Sequence, residues 1–142
     1  MPRILIADDS QSNAELLEAH LEGTGFETKI IANGEETLAA ARSWQPDAIL
    51  LDIMMPKLSG FEVCRRLRAD AATNRIGVLM ITALDQPTDV EQAIAAGTDD
   101  FITKPINKTE LLLRMRAMLE SRSQTSDVDR ALAYMGRVQA GV

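Results

Sequence analysis

Apolar residues along this chain alternate between short runs rich in Ile, Val and Leu and longer stretches in which they recur with helical period. The first run, Arg3 to Ala7, leads into a helical stretch from about Ser10, with Leu16, Leu17 and Leu21 at core spacing and the Gly23-Thr24-Gly25 segment as its stop and turn. Phe26 to Ile31 predicts a second strand, Glu35 to Ser43 a second helix, and Asp47 to Leu51 a third strand introduced by Pro46. That third run is nearly continuous in apolar residues, as expected of a strand covered by helices on both faces. Beyond Pro56 and Gly60 a third helix carries Phe61, Val63, Cys64 and Leu67 and ends in the polar stretch Asp70 to Asn74. Ile76 to Thr82 predicts a fourth strand. A fourth helix follows Pro87, with Val90, Ala93 and Ile94 inward and Gly97 as its stop. Phe101 to Thr103 is a short fifth strand, and Asn107 with Glu110 offers a reciprocal cap for a fifth helix.

Five successive strand-helix units predict an α/β fold, a doubly wound three-layer sandwich around a parallel sheet. Residues 1–122 form the expected domain and 123–142 a linker with a helical extension. Ser121 to Ser126 is a polar break, after which Val128, Leu132, Met135 and Val138 recur at helical spacing behind a Ser126 N-cap. The extension reads equally as a loosely docked tail and as the start of a signalling or dimer-forming helix toward an output domain.

Composition narrows the function classes. At 142 residues and 46% hydrophobic content, one domain can build its core without disulfide or metal staples. The formal charge of -6 and pI near 4.8 weigh against direct contact with nucleic acid or an anionic membrane, both of which attract basic patches. Cys64 is single, so no intramolecular disulfide is possible and no zinc pattern accompanies it, which fits a reducing compartment. The first apolar run is too short for a signal-peptide core or a membrane span, and the expected location is cytoplasmic.

The polar residues at strand ends carry the chemistry. Asp8 and Asp9 close the first strand, Asp52 the third and Thr82 the fourth, while Lys104 follows the fifth. All are at carboxyl ends of predicted parallel strands, where a doubly wound fold binds its ligands. Three crowded carboxylates repel one another, and a hard divalent cation with oxygen ligands resolves the repulsion; magnesium fits because it also accepts a phosphoryl oxygen. Lys104 supplies a compact positive charge and Thr82 a hydroxyl donor. The set suits phosphoryl transfer to a carboxylate. Asp52 is the nucleophile candidate, since it stands alone at the end of the most buried strand whereas Asp8 and Asp9 form a pair suited to a cation.

Four blocks then carry a resemblance. Ile6-Ala7-Asp8-Asp9-Ser10, Leu50-Leu51-Asp52-Ile53-Met54-Met55-Pro56 followed by Gly60, Ile81-Thr82-Ala83, and Lys104-Pro105 resemble, in order and separation, the signature blocks of response-regulator receiver domains of two-component signalling. The resemblance covers about Pro2 to Glu120 and implies a flavodoxin-like sandwich with strand order 2-1-3-4-5. It implies that Asp52 is the phosphoacceptor and that Asp9, Asp52 and the Met54 backbone carbonyl ligate Mg2+, with Asp8 acting chiefly through a metal-bound water. It further implies that Thr82 and Lys104 grip the phosphoryl oxygens, that the Lys104-Pro105 peptide is cis, and that Thr82 and Phe101 form the switch reshaping the face of the fourth helix, fifth strand and fifth helix. The chain is then no enzyme beyond its own phosphorylation and dephosphorylation. Its expected partners are a sensor histidine kinase or histidine phosphotransfer protein, with a fused output domain or a homodimer partner. The core blocks are similar to those of receivers attached to diguanylate cyclases. Met54 and Leu84, which flank the site, are both apolar and predict slow self-dephosphorylation, because an attacking water needs polar partners.

Taken singly, these residues have plainer readings. An Asp pair after a strand is commonly a helix cap, Thr82 a strand-end hydroxyl and Lys104 a solvated charge. His20 reads as a helix-surface residue, Cys64 as a small core hydrophobe, Met54-Met55 as site wall, and Trp44 as packing at the end of the second helix. A haloacid-dehalogenase-type phosphatase would place a second Asp two residues after the nucleophile, where Met54 stands. A flavin module would need aromatic residues to stack the ring, against 4% aromatic content here.

Overall fold

Strand and helix alternate along the chain as β1 (Arg3–Ala7), α1 (Gln11–Leu21), β2 (Glu27–Ile31), α2 (Gly34–Trp44), β3 (Ala48–Asp52), α3 (Gly60–Ala69), β4 (Gly77–Thr82), α4 (Pro87–Ala96), β5 (Asp100–Thr103) and α5 (Lys108–Ser121). This computed structural model describes residues 1–83, 87–121, 135 and 138. Leu84 and, apart from Met135 and Val138, the expected C-terminal extension lie outside the described residues. The sheet is parallel with strand order β2-β1-β3-β4-β5, the flavodoxin-like order expected.

Local chemistry starts and stops the helices. Side chains of Ser10, Asn33 and Ser59 accept the backbone N–H of Asn13, Glu36 and Glu62, satisfying first-turn donors that have no helical acceptor. Asn107 does the same for Glu110 ahead of α5. Gln45 ends α2 in the left-handed region at φ 51, and its amide donates to the carbonyls of Ala41 and Arg42.

Strand alternation divides the core into two layers. Leu5, Ile49, Leu51, Val78 and Met80 face α2, α3 and α4, where Val63, Cys64 and Leu67 meet them. Ile4, Ile6, Leu50, Leu79 and Ile81 face α1 and α5 with Leu17, Leu21, Leu111 and Met115. All of β3 and β4 is buried, which explains their unbroken apolar runs.

Two inward assignments are corrected. Leu16 is 51% exposed and Ile94 66% exposed. Both stand beside the helical row that meets the sheet: α1 buries Ala14, Leu17 and Leu21, and α4 buries the small residues Ala93 and Ala96. Trp44 is the last residue of α2, with its ring under the Lys29 ammonium at 4.8 Å and the Arg3 guanidinium at 5.6 Å.

Candidate functional site

Strand order reverses between β1 and β3, because the chain leaves β1 for its outer neighbour β2 and then returns to β3 on the other side. A crevice opens outside the carboxyl ends of strands at such a point. Ala7 is in register with Leu51 and Asp52 with Ile81, so Asp8, Asp52 and Thr82 end three adjacent strands.

Asp8, Asp9 and Asp52 each bring a carboxylate oxygen within 4.8 Å of the others. Asp8 and Asp52 are buried, whereas Asp9 is exposed. One Asp8 oxygen, Oδ1, accepts the Ser10 N–H at 2.9 Å. The other, Oδ2, is buried with no hydrogen-bond partner among the described residues. Asp52 Oδ1 accepts the Met54 N–H at 3.2 Å, and Asp52 Oδ2 stands 3.7 Å from Lys104 Nζ. The backbone sets that lysine in place: its N–H donates to the Thr82 carbonyl at 2.7 Å, one step beyond the Thr82–Thr103 pair, and the Lys104–Pro105 peptide is cis. Thr82 is buried at the end of β4.

Electrostatics make this an unsatisfied cluster. Burial pushes the Asp8 carboxyl up from its ordinary 3.8 to about 6; the Ser10 N–H opposes the rise, the Asp52 charge adds to it and Lys104 opposes it. Three acids face one ammonium, and a buried carboxylate oxygen lacks a partner. A hard cation fits both deficits, since it prefers oxygen donors and neutralises charge. The acidic donors of the cluster are all oxygen, and Cys64 is buried in the α3 core layer with its thiol pushed up to about 11, mainly by burial.

The loop between Asp52 and α3 is tightly turned. The Leu58 N–H donates to the Pro56 carbonyl at 2.9 Å and the Gly60 N–H to the Ile53 carbonyl at 2.8 Å. Lys57 adopts the left-handed region at φ 71, and a Cβ on Gly60 would lie 2.6 Å from the Asp52 carbonyl oxygen. The strain at Lys57 has no signal in the sequence, since a lysine carries no turn preference. Met54 projects outward, 65% exposed. Phe101 is half-buried, opposite Met80 in the β4–β5 register, and packs against the core layer under α2–α4. His20 is half-buried in the last turn of α1 and is not part of the cluster.

Comparison with known proteins adds the family and the fold. The response regulator receiver domain family matches residues 4–116. The DNA-binding dual master transcriptional regulator RpaA of Synechocystis is 46% identical over 119 residues, 84% of this chain and 49% of that protein. Response regulator PleD of Caulobacter vibrioides is 45% identical over 116 residues, 82% of this chain and 26% of that protein. The chain thus spans about half the length of RpaA, and less of PleD. Among solved structures, a putative response regulator from Chloroflexus aurantiacus superposes with TM-score 0.81 at 34% identity, covering 84% of this chain and 99% of that one. The receiver domain of a Pseudomonas aeruginosa sensor histidine kinase, solved with a magnesium ion coordinated in its active-site cleft, gives TM-score 0.78 at 28% identity, covering 84% of this chain and 98% of that one.

Proposed function

The chain belongs to the response regulator receiver domain family, and from that premise we propose that Asp52 accepts a phosphoryl group in a Mg2+-dependent reaction. The observation that carries the proposal is the pairing of Lys104 Nζ with Asp52 Oδ2 at 3.7 Å beside the unpartnered Oδ2 of Asp8. An Asp52 carboxylate oxygen attacks the phosphorus of a phosphohistidine on a sensor histidine kinase or histidine phosphotransfer protein. The P–N bond breaks, its electron pair leaves with the imidazole, and the imidazole takes up a proton from solvent. Asp9, Asp52 and the Met54 carbonyl would hold the Mg2+, with Asp8 acting chiefly through a water. When bound, the ion supplies neutralisation of the carboxylates and of the incoming phosphoryl oxygens.

Lys104 passes from the Asp52 carboxylate to a phosphoryl oxygen, and the Thr82 hydroxyl donates to another. Its displacement vacates space behind β4 into which the half-buried Phe101 turns, changing the face of α4, β5 and α5. The chain catalyses only its own phosphorylation and dephosphorylation. The switched face controls a partner or a fused output domain, and relatives such as the DNA-binding RpaA, about twice as long as the stretch they share with this chain, favour a fused module beyond residues 1–122. Any DNA contact falls to that module, since this chain carries a formal charge of -6. The same charge and the kinase partnership fit a cytoplasmic protein; among the described residues no helix is long and apolar enough to cross a membrane.

Acetyl phosphate with and without MgCl2, read by intact mass, tests the proposal on the wild type and Asp52→Ala. One phosphoryl group on the wild type, dependent on Mg2+ and lost in the variant, is expected. Labelling that persists in Asp52→Ala or ignores Mg2+ sinks it.

A further inference from the structure

We infer that Gly34, on a helix that contributes no group to the acidic cluster, is a positioning residue for it: its missing side chain lets the first turn of α2 press on the loop that follows Asp52. A Cβ on Gly34 would lie 2.6 Å from the Leu58 Cβ, 2.8 Å from the Leu58 carbonyl oxygen and 2.9 Å from a Val63 methyl. Two of these neighbours are backbone or next to it, so relief requires moving the loop itself rather than swinging a side-chain tip. The left-handed region plays no part, since no positive φ is recorded at Gly34; the requirement is space alone.

The loop has little freedom to absorb such a movement. Leu58 is tied by its N–H to the Pro56 carbonyl, and Gly60 by its N–H to the Ile53 carbonyl. On the inner side Gly60 lies against the Asp52 and Ile53 backbone, where even a Cβ would be 2.6 Å from an oxygen. The loop is therefore held between two glycines, Gly34 outside and Gly60 inside. Within it, the Met54 N–H reaches Asp52 Oδ1, so the loop also sets the orientation of the reacting carboxylate. Displacement at Leu58 is passed through Pro56 to Met54 and to the metal-facing oxygens. Outer-shell supports of this kind tune metal affinity through ligand orientation. The Glu35–Lys57 pair at 3.9 Å joins the same turn to the same loop, but both side chains are more than half exposed and it adds little.

Helix propensity and the positioning role make opposite forecasts. Alanine is the better helix former, so a purely local effect of Gly34→Ala is stabilising. The inference rests on the proposed function for its Mg2+ and labelling arms, and the amide-exchange arm stands without it. Wild type, Gly34→Ala, Leu58→Gly and Leu38→Ala are compared in the full 142-residue chain. Amide exchange at Leu58 and Gly60 is measured without metal, MgCl2 is then titrated by amide NMR shifts, and the initial rate of labelling by acetyl phosphate follows.

Gly34→Ala is expected to raise the Mg2+ dissociation constant about tenfold, to speed exchange at Leu58 and Gly60, and to slow labelling at low Mg2+ with most of the rate recovered at saturation. Leu38→Ala, which trims a core-packed residue of the same helix, leaves the Mg2+ constant within about twofold. Wild-type exchange and a wild-type Mg2+ constant in Gly34→Ala overturn the inference. Should that variant fail to fold, Leu58→Gly decides: it removes the Cβ that Gly34 faces without adding an atom, so a severalfold weaker constant supports the positioning role and an unchanged one overturns it. Failure of the phosphoacceptor reading shows separately, as absence of label on wild-type Asp52.

Discussion

Asp8 is held between burial and use. Its carboxyl is almost wholly excluded from water and is pushed up from 3.8 to about 6. A folded-state value above the unfolded one contributes stability that is complete below about pH 4 and disappears as pH rises through 6, about 3 kcal/mol for a rise of this size. A cation that displaces the proton reverses the trend. The stabilisation added by Mg2+ is therefore expected to grow between pH 5 and pH 7.5, checked by urea unfolding with MgCl2 against EDTA; a Mg2+ increment independent of pH contradicts it. Asp70 and Glu62, lowered respectively by the Ala72 N–H with Arg42 and by Arg65 with Arg66, act in the opposite direction, losing their contribution as pH falls. They are present with and without metal, so the difference reports on the acidic cluster, in which Asp8 carries the raised value. At Met54 the side chain stands outward and apolar, 65% exposed, offering nothing to hold an attacking water. A phosphorylated half-life of minutes or more is expected in a phosphatase-free chase, and decay within seconds counts against that role. Asp8, Asp9, Asp52, Thr82 and Lys104 were legible because each ends or follows an apolar run, where residue type and strand end coincide. Gly34 and Lys57 were not, because their importance lies in space and backbone angle relative to residues more than twenty positions away or in a single turn.

The elements divide by how much their faces reveal. For β1, β3 and β4 apolar run length alone located the strand to within a residue or two, since burial on both sides leaves few polar positions to blur it. Helices α1 and α4 were located correctly but each was given one inward residue too many: adjacent apolar pairs, Leu16-Leu17 and Ala93-Ile94, leave the inward member undetermined by period alone, and contact with the sheet chose Leu17 and Ala93. Leu21→Ala, fully buried against β1, should cost about 2–5 kcal/mol. Leu16→Ala should stay within about 0.5 kcal/mol. Denaturant midpoints check the pair, and equal losses would contradict the assigned face. At the opposite end of the sheet Arg68 of α3 ties together the loops that lead into β4 and β5. Its guanidinium donates to the carbonyls of Gly97 at 2.8 Å, Asn74 at 3.1 Å and Ile76 at 2.6 Å, and pairs with Asp99 at 2.8 Å. With both side chains of the pair about three-quarters covered, Arg68→Ala is expected to cost about 2–3 kcal/mol. Being far from the strand carboxyl ends, it should leave the Mg2+ constant unchanged in the same NMR titration.

For the molecule as a whole, one sheet joins two core layers, and β3 at its centre belongs to both through Ile49 and Leu51 on one face and Ala48 and Leu50 on the other. Neither layer can open without exposing the strand that the other needs, which predicts a single cooperative transition. Trp44, the single tryptophan, reports on the α2–α4 layer at the end of the sheet remote from the acidic rim. Far-UV circular dichroism reports on both layers together. The two signals should coincide through a urea titration, and a tryptophan transition displaced from the helical one would mean that the layers unfold separately. The proposed Mg2+ site exists only when β1 and β3 are paired, because Asp8, Asp9 and Asp52 converge from more than forty residues apart in sequence through that pairing. At a hundredfold excess over its dissociation constant the ion should then add about 2.7 kcal/mol, shifting both signals equally. The urea slope should not change, since the surface exposed on unfolding is the same. A shift confined to one signal would place the cation on a part of the chain that survives when the sheet is lost, and would remove Mg2+ from the rim on which Asp52 is proposed to react.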